Sequence, residues 1–183
     1  MSTSSPNSGS SNSFRSRRTI SLREFLQEAV FVGARDIEVR RCVNRADKCR
    51  PGDVFVPDHT TSRDEADSVD EAVRRGAVAV VTERLLPTTI PQCLVEDTRI
   101  VYGKLCQALI GQPSQRMLTI GVVGSHGKTT TSLFVATMLK KMAGAVAYYT
   151  SLGSSDSQTS DRTATRSPGA TKLANWLHQA DQA

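Results

Sequence analysis

Between Met117 and Leu139 the chain carries an apolar run, a glycine-punctuated turn and a second apolar run in direct succession. Met117 to Val123 reads as a strand. Gly121, Gly124 and Gly127 fall in and just after it, and Lys128-Thr129-Thr130-Thr131 follow. Leu133, Phe134, Ala136, Thr137, Met138 and Leu139 then form a broad apolar face of a helix from about Lys128 to Met142. A strand that enters a helix through such a turn confines the segment to α/β architecture. Glycines let successive backbone N–H groups point into one concave nest, and the helix N-terminus adds positive potential, so the turn is built to hold phosphate. Lys128 stands where a cation reaches the β- and γ-phosphates, and Thr129 supplies a hydroxyl that can bind Mg²⁺. Gly124, Ser125, His126, Gly127, Lys128, Thr129 and Thr130 are the expected ATP contacts. His126 either touches a phosphate or nucleobase or fills a loop position that tolerates a polar residue. The spacing departs from the general G-x-x-x-x-G-K-[ST] loop, whose first glycine would fall at Val122.

Composition narrows the remaining possibilities. The chain has 183 residues, of which 38% are hydrophobic and 22% charged, as in an ordinary globular protein of one domain or two small ones. No apolar run approaches the roughly 20 residues of a membrane helix. Of the net charge of +5, Arg15, Arg17 and Arg18 account for +3 within an acid-free start, which leaves about +2 for the rest. No stacking aromatics are interleaved with the basic residues, so neither nucleic acid nor a membrane is an expected partner. Residues 1–18, rich in Ser, Asn and Gly, are expected to be a disordered tail. Cys42, Cys49, Cys93 and Cys106 form no CxxC pair, and ordinary thiols fit a reducing, cytoplasmic compartment. Neither His59 nor His178 has partners at metal-ligand spacing.

Upstream of the loop, strand and helix signals alternate. Ser21-Leu22-Arg23-Glu24 is a capping box, followed by Leu22, Phe25, Leu26, Ala29 and Val30 at helical spacing up to Gly33. Ile37 and Val39 mark a short strand, Arg50-Pro51-Gly52-Asp53 a turn, and Val54-Phe55-Val56 a buried strand. A helix is expected from Glu65 to Arg75, with Val69, Ala72 and Val73 inward and Gly76 as its cap. Strands are expected at Ala77–Val81 and Cys93–Val95. A helix opening at Asp97 or Thr98 then carries Ile100, Val101, Leu105, Ala108 and Leu109 to Gly111. After the hinge at 112–116 and the phosphate loop, Ala145 to Tyr149 reads as the next parallel strand and 151–164 as loop. Gly169 to Ala180 reads as a helix packing Leu173, Trp176 and Leu177. The second unit thus shows two strands and two helices, fewer than a doubly wound nucleotide domain needs, so a fragment or early termination is expected.

The glycine spacing resembles that of the Mur ligases, whose ATP loop reads roughly G-x-x-G-[ST]-x-G-K-T-[TS]. Asn44-Arg45 and Arg50-Pro51-Gly52-Asp53-Val54-Phe55-Val56 are similar to a segment of that family's N-terminal domain, as is Ala72…Gly76-Ala77-Val78-Ala79-Val80-Val81. Thr150-Ser151-Leu152-Gly153 and Ser167-Pro168…Leu173…Leu177 resemble its T-x-G loop and T-T-P helix. The resemblance covers about 19–183 and is nearest the member that adds the third residue of the peptide. It implies a small N-terminal α/β UDP-binding-type domain (19–111), a linker (112–116) and the truncated start of a P-loop parallel-sheet ATP-binding domain (117–183). It further implies an ATP- and Mg²⁺-dependent ligase, expected as a monomer. Such an enzyme joins an amino acid to a UDP-N-acetylmuramoyl-peptide through an acyl phosphate, with Lys128 catalytic and Thr129 on the metal. Substrate contacts carry over to Asn44, Arg45, Thr61, Ser62, Arg166 and Ser167. The sequence departs from the family at several of these: Asn44 replaces a serine, 57–65 lacks glycines, and Arg166-Ser167 replaces the paired threonines. The family's metal-binding glutamate, modified lysine and amino-acid domain would lie past Ala183, so this chain alone is not expected to complete the ligation. Two other readings remain, a non-catalytic nucleotide-binding relic and an unrelated small P-loop kinase or GTPase. The last needs an acidic metal ligand closing a later strand, where Tyr148-Tyr149-Thr150 stands instead.

Overall fold

The structure, a computed structural model, describes residues 18–58, 65–162 and 168–183. The tail readings at 1–17 and the residues His59, Thr61, Ser62, Arg166 and Ser167 lie outside them. In chain order the elements are β1 (Ile20–Ser21), α1 (Leu22–Phe25), β2 (Val30–Val32), β3 (Glu38–Val39), β4 (Cys42–Val43), β5 (Val54–Phe55) and α2 (Glu65–Arg74). There follow β6 (Ala79–Thr82), β7 (Gln92–Leu94), α3 (Thr98–Ala108), α4 (Lys128–Ala143), β8 (Tyr148–Thr150), β9 (Gly153–Ser155), β10 (Ser160–Asp161) and α5 (Ala170–Gln182). The fold is α/β. Single turns of 3₁₀ helix at Ala46–Lys48 and Pro113–Gln115 complete it.

A five-stranded sheet in the order β2-β7-β6-β5-β4 forms the centre. Its β4, β5, β6 and β7 are parallel and β2 is antiparallel to β7. Side chains alternate across a strand, so a sheet covered on both faces needs apolar residues at every position. Val54 and Val56 join one core cluster and Phe55 the other; Ala79 and Val81 join the first and Val80 the second. The first cluster is closed by Leu22, α3 residues such as Leu105 and Ala174 from α5, the second by Val69 and Ala72 of α2. Each fully buried Val, Leu or Phe contributes about 1.5–3 kcal/mol.

Several expectations are corrected. The helix expected from Leu22 to Gly33 ends after one turn at Phe25, because Val30-Phe31-Val32 pairs instead with Gln92–Leu94. The apolar spacing fits either period, and β-branched and aromatic residues favour the strand once a partner edge exists. Ser21 caps α1, accepting from the Glu24 N–H at 3.1 Å, while Asp36 accepts from the Ser21 hydroxyl at 2.6 Å and the Arg23 N–H at 3.0 Å. These donors hold the Asp36 carboxyl below its ordinary pKa, the Ser21 hydroxyl most of all. The strand at Cys42–Val43 was missed, since two residues beside three arginines carry no period.

Beyond the linker the departures are larger. Residues 117–123 form no strand; Leu118 is 86% exposed and Val123 92%. A strand needs a neighbour for its backbone donors and acceptors, and none lies beside this run among the described residues. Tyr148–Thr150 is a strand, but it pairs antiparallel with β9 rather than parallel, and the expected loop after it contains β9 and β10. Before the linker, Ile100 on α3 is 56% exposed. Leu173 is 36% exposed, while Leu177 is buried as expected and Ala174 is buried beside it. α5 packs against α3 of the first unit: Tyr102 Oη and Thr171 Oγ1 lie 2.8 Å apart, and the Asp181 carboxylate takes a two-pronged bond from Arg116.

Candidate phosphate-binding site

The glycine loop leads directly into α4. Gly127 stands at its N-cap with φ 76, a left-handed conformation that side chains resist, and no side chain caps the helix. The first helical bond runs from the Thr131 N–H to the Gly127 carbonyl at 2.9 Å, so the helix leaves the N–H groups of Lys128, Thr129 and Thr130 unused. No acidic residue lies in the first turn. A Cβ on Gly121 or Gly127 would meet nothing within 4 Å, which leaves the loop open for a ligand to approach the backbone. Donors without walls, at the positive end of a helix, fit the oxygens of a phosphate chain.

Lys128 turns back over this loop. Its Nζ donates to the Gly124 carbonyl at 2.8 Å and the Ser125 carbonyl at 3.1 Å. The ammonium thus stands over the nest, held by two carbonyls that an anion would outcompete. His126 is exposed, with Nδ1 3.2 Å from the Ser125 hydroxyl. Thr129 Oγ1 lies 2.9 Å from Ser151 Oγ in the turn between β8 and β9. The sequence had singled out Thr150-Ser151-Leu152-Gly153 without giving Ser151 a role; only the fold brings it to Thr129. No three His, Cys, Asp or Glu side chains converge on a metal site among the described residues. The donor set here, neutral hydroxyls beside a phosphate nest, fits a Mg²⁺ that arrives with the nucleotide.

Asn44 and Arg45 follow β4 at the carboxyl edge of the parallel sheet. Asn44 Nδ2 is 3.4 Å from Asp58 Oδ2. Arg45 makes a two-pronged pair with Asp47, at 2.9 and 2.8 Å, which raises the Arg45 pKa and lowers that of Asp47. Glu65, buried at the start of α2, accepts from the Thr82 hydroxyl and from Arg84, both at 2.9 Å. The carboxyl edge of a parallel sheet is where open α/β folds take ligands.

Known proteins resemble the chain over part of its length. Over 91 residues the chain is 40% identical to the UDP-N-acetylmuramoyl-L-alanyl-D-glutamate–2,6-diaminopimelate ligase of Geobacillus thermodenitrificans, covering 50% of this chain and 19% of that protein. Its homologues are Mur ligases. The ligase of the same name from Listeria innocua is 30% identical over 123 residues, 66% of this chain and 25% of that protein. A solved diaminopimelate ligase of this name superposes with a TM-score of 0.63 at 19% identity, over 90% of this chain and 34% of that one. MurF from Acinetobacter baumannii gives a TM-score of 0.51 at 19% identity, again over 90% and 34%. At that identity the structural likeness shows the fold. No family model matches. The chain spans about a fifth to a quarter of the length of these curated Mur ligase relatives. The resemblance read from the glycine spacing and from the third-residue-adding member is therefore matched by homologues over part of the chain.

Proposed function

We propose that this chain holds the phosphates of ATP, with Mg²⁺, in the manner of a Mur ligase, and that it forms the UDP-substrate and nucleotide-loop portion of a ligase of peptidoglycan precursors. The observation that carries this is the open nest at Gly124–Thr130, with Lys128 poised above an uncapped helix N-terminus. Phosphate oxygens take Lys128 from the Gly124 and Ser125 carbonyls, and the free N–H groups of α4 orient the chain of phosphates. Lys128 thereby offsets charge on the transferring phosphoryl group, and positioning supplies most of the rate. In the full reaction ATP supplies a phosphoryl group to the terminal carboxylate of a UDP-N-acetylmuramoyl-peptide, and an amino acid's amine then displaces phosphate. Residues 19–111 are proposed to hold the UDP end and 117–183 to begin the ATP unit. Asn44, Arg45, Thr61, Ser62, Arg166 and Ser167 are proposed as substrate contacts. We place the chain in the cytoplasm as a monomer; no helix among the described residues is long and apolar enough to cross a membrane.

The test is calorimetric binding of the β,γ-imido analogue of ATP with Mg²⁺. Lys128→Ala is expected to weaken it by about 2 kcal/mol, some thirtyfold, as loss of a charge-assisted contact does. Equal affinities for wild type and variant would remove Lys128 from the site.

A further inference from the structure

We propose that Ser151 Oγ and Thr129 Oγ1 together form a paired-hydroxyl seat for the divalent cation that accompanies the nucleotide. This rests on the nucleotide reading of the loop and adds a residue, from a different element, to which no role has been given. The two oxygens are 2.9 Å apart. Adjacent ligands of an octahedral Mg²⁺ with bonds of about 2.0–2.1 Å stand about 2.9 Å from each other, the bond length times the square root of two. The shared proton of the present hydrogen bond can therefore turn outward and a cation take its place, with α4 and the β8–β9 turn both staying where they are. Each hydroxyl then gives a lone pair to the metal and keeps its own hydrogen.

The turn that carries Ser151 is braced on both sides. Thr150, buried beneath it, donates from Oγ1 to the Gly153 carbonyl at 2.9 Å and accepts from the Leu152 N–H at 3.3 Å. Gly153 has φ 138, and a Cβ there would collide with the Asp161 carbonyl oxygen of β10. Three residues around Ser151 are thus fixed by a buried hydroxyl and a close backbone approach, while Ser151 itself stays exposed. That is the arrangement a preorganised ligand needs: a rigid support and an accessible oxygen. The seat contributes no negative charge of its own, and α4 has no acid in its first turn. Two neutral hydroxyls hold Mg²⁺ only when anionic phosphate oxygens complete its shell. Metal and nucleotide binding are therefore strongly coupled, each raising the affinity for the other.

The experiment measures binding of the β,γ-imido ATP analogue by calorimetry, with excess Mg²⁺ and with chelator, for wild type, Ser151→Ala, Ser151→Thr and Lys128→Ala. The readout is the ratio of the two affinities. Ser151→Ala is expected to lower that ratio about tenfold, as loss of one supporting metal contact does, and Ser151→Thr to restore most of it by returning a hydroxyl. An unchanged ratio in Ser151→Ala, or equal weakening with and without Mg²⁺, would overturn the seat while leaving the loop's phosphate role intact. A wild type that binds the analogue under neither condition would overturn the nucleotide reading and the seat with it. Ser151 is exposed, so its alanine variant tests the contact rather than the fold.

Discussion

Asp53 is the residue on which the first unit turns. Its buried carboxylate accepts a two-pronged bond from Arg41 and a third bond, at 2.7 Å, from the Arg50 N–H. It fixes the turn that launches β5 and ties it to the residue before β4. The Arg50-Pro51-Gly52-Asp53 turn was legible from its local chemistry, whereas the pairing across to Arg41 was not, because twelve residues separate the partners. Asp53→Ala leaves the Arg50 N–H without its acceptor and the partly buried Arg41 guanidinium with the Lys48 carbonyl, 3.0 Å away, in place of a carboxylate. The expected loss is about 1–3 kcal/mol of stability, discounted because Arg41 is partly exposed. A chemical denaturation midpoint that does not move would show that the pair is not stabilising. The four cysteines read as ordinary thiols are all buried, and burial pushes the Cys93 thiol up to about 11. At the glycine loop, the helix expected to open at Lys128 does so, since a glycine turn and the apolar face that follows it are made within one short stretch of chain.

Among the elements, α5 departs most from what its sequence implied. It was read as the last helix of the second unit, and it docks on α3 of the first through Thr171 and Ala174, while Asp181 is held by Arg116 of the linker. Such docking depends on contacts 65 or more residues apart, which no periodicity encodes. The bond from Arg116 holds the Asp181 carboxyl below its ordinary value. A carboxyl depressed in the folded state stabilises above its unfolded pKa of about 4, and the gain is lost as pH falls through the lowered value. The protection of the α5 amides, taken relative to their intrinsic exchange rate at each pH, is therefore expected to fall below about pH 4. Asp181→Asn should show faster exchange already at neutral pH and lose that acid dependence. Indistinguishable exchange of α5 in wild type and variant at neutral pH would show that this pair does not hold the helix.

For the molecule as a whole, apolar surface is unevenly divided. The first unit buries a core on both faces of a five-stranded sheet, while Phe134, Met138 and Met142, four residues apart along α4, are 65%, 51% and 81% exposed. Leu118 and Val123 add to that bare surface. Contiguous exposed apolar patches bind hydrophobic dyes. Native protein is expected to enhance 1-anilinonaphthalene-8-sulfonate fluorescence, and Phe134→Ser with Met142→Ser to reduce the enhancement by about half, the two side chains being the most exposed of the stripe. Fluorescence unaffected by the double substitution would place the dye elsewhere.

Features made by neighbours along the chain were legible from the residues alone. These are the glycine loop and the helix that follows it, the buried strands at Val54 and Ala79, the helices at Glu65 and Thr98 and the glycines that end them. Short-range periodicity, capping and turn chemistry suffice there. Long-range pairing makes Val30–Val32 a strand, folds Tyr148–Thr150 into an antiparallel meander, leans α5 on α3 and brings Ser151 to Thr129. Each of those depends on a partner far away in sequence, and a strand edge, a helix face or a hydroxyl acquires its role only when the fold supplies that partner.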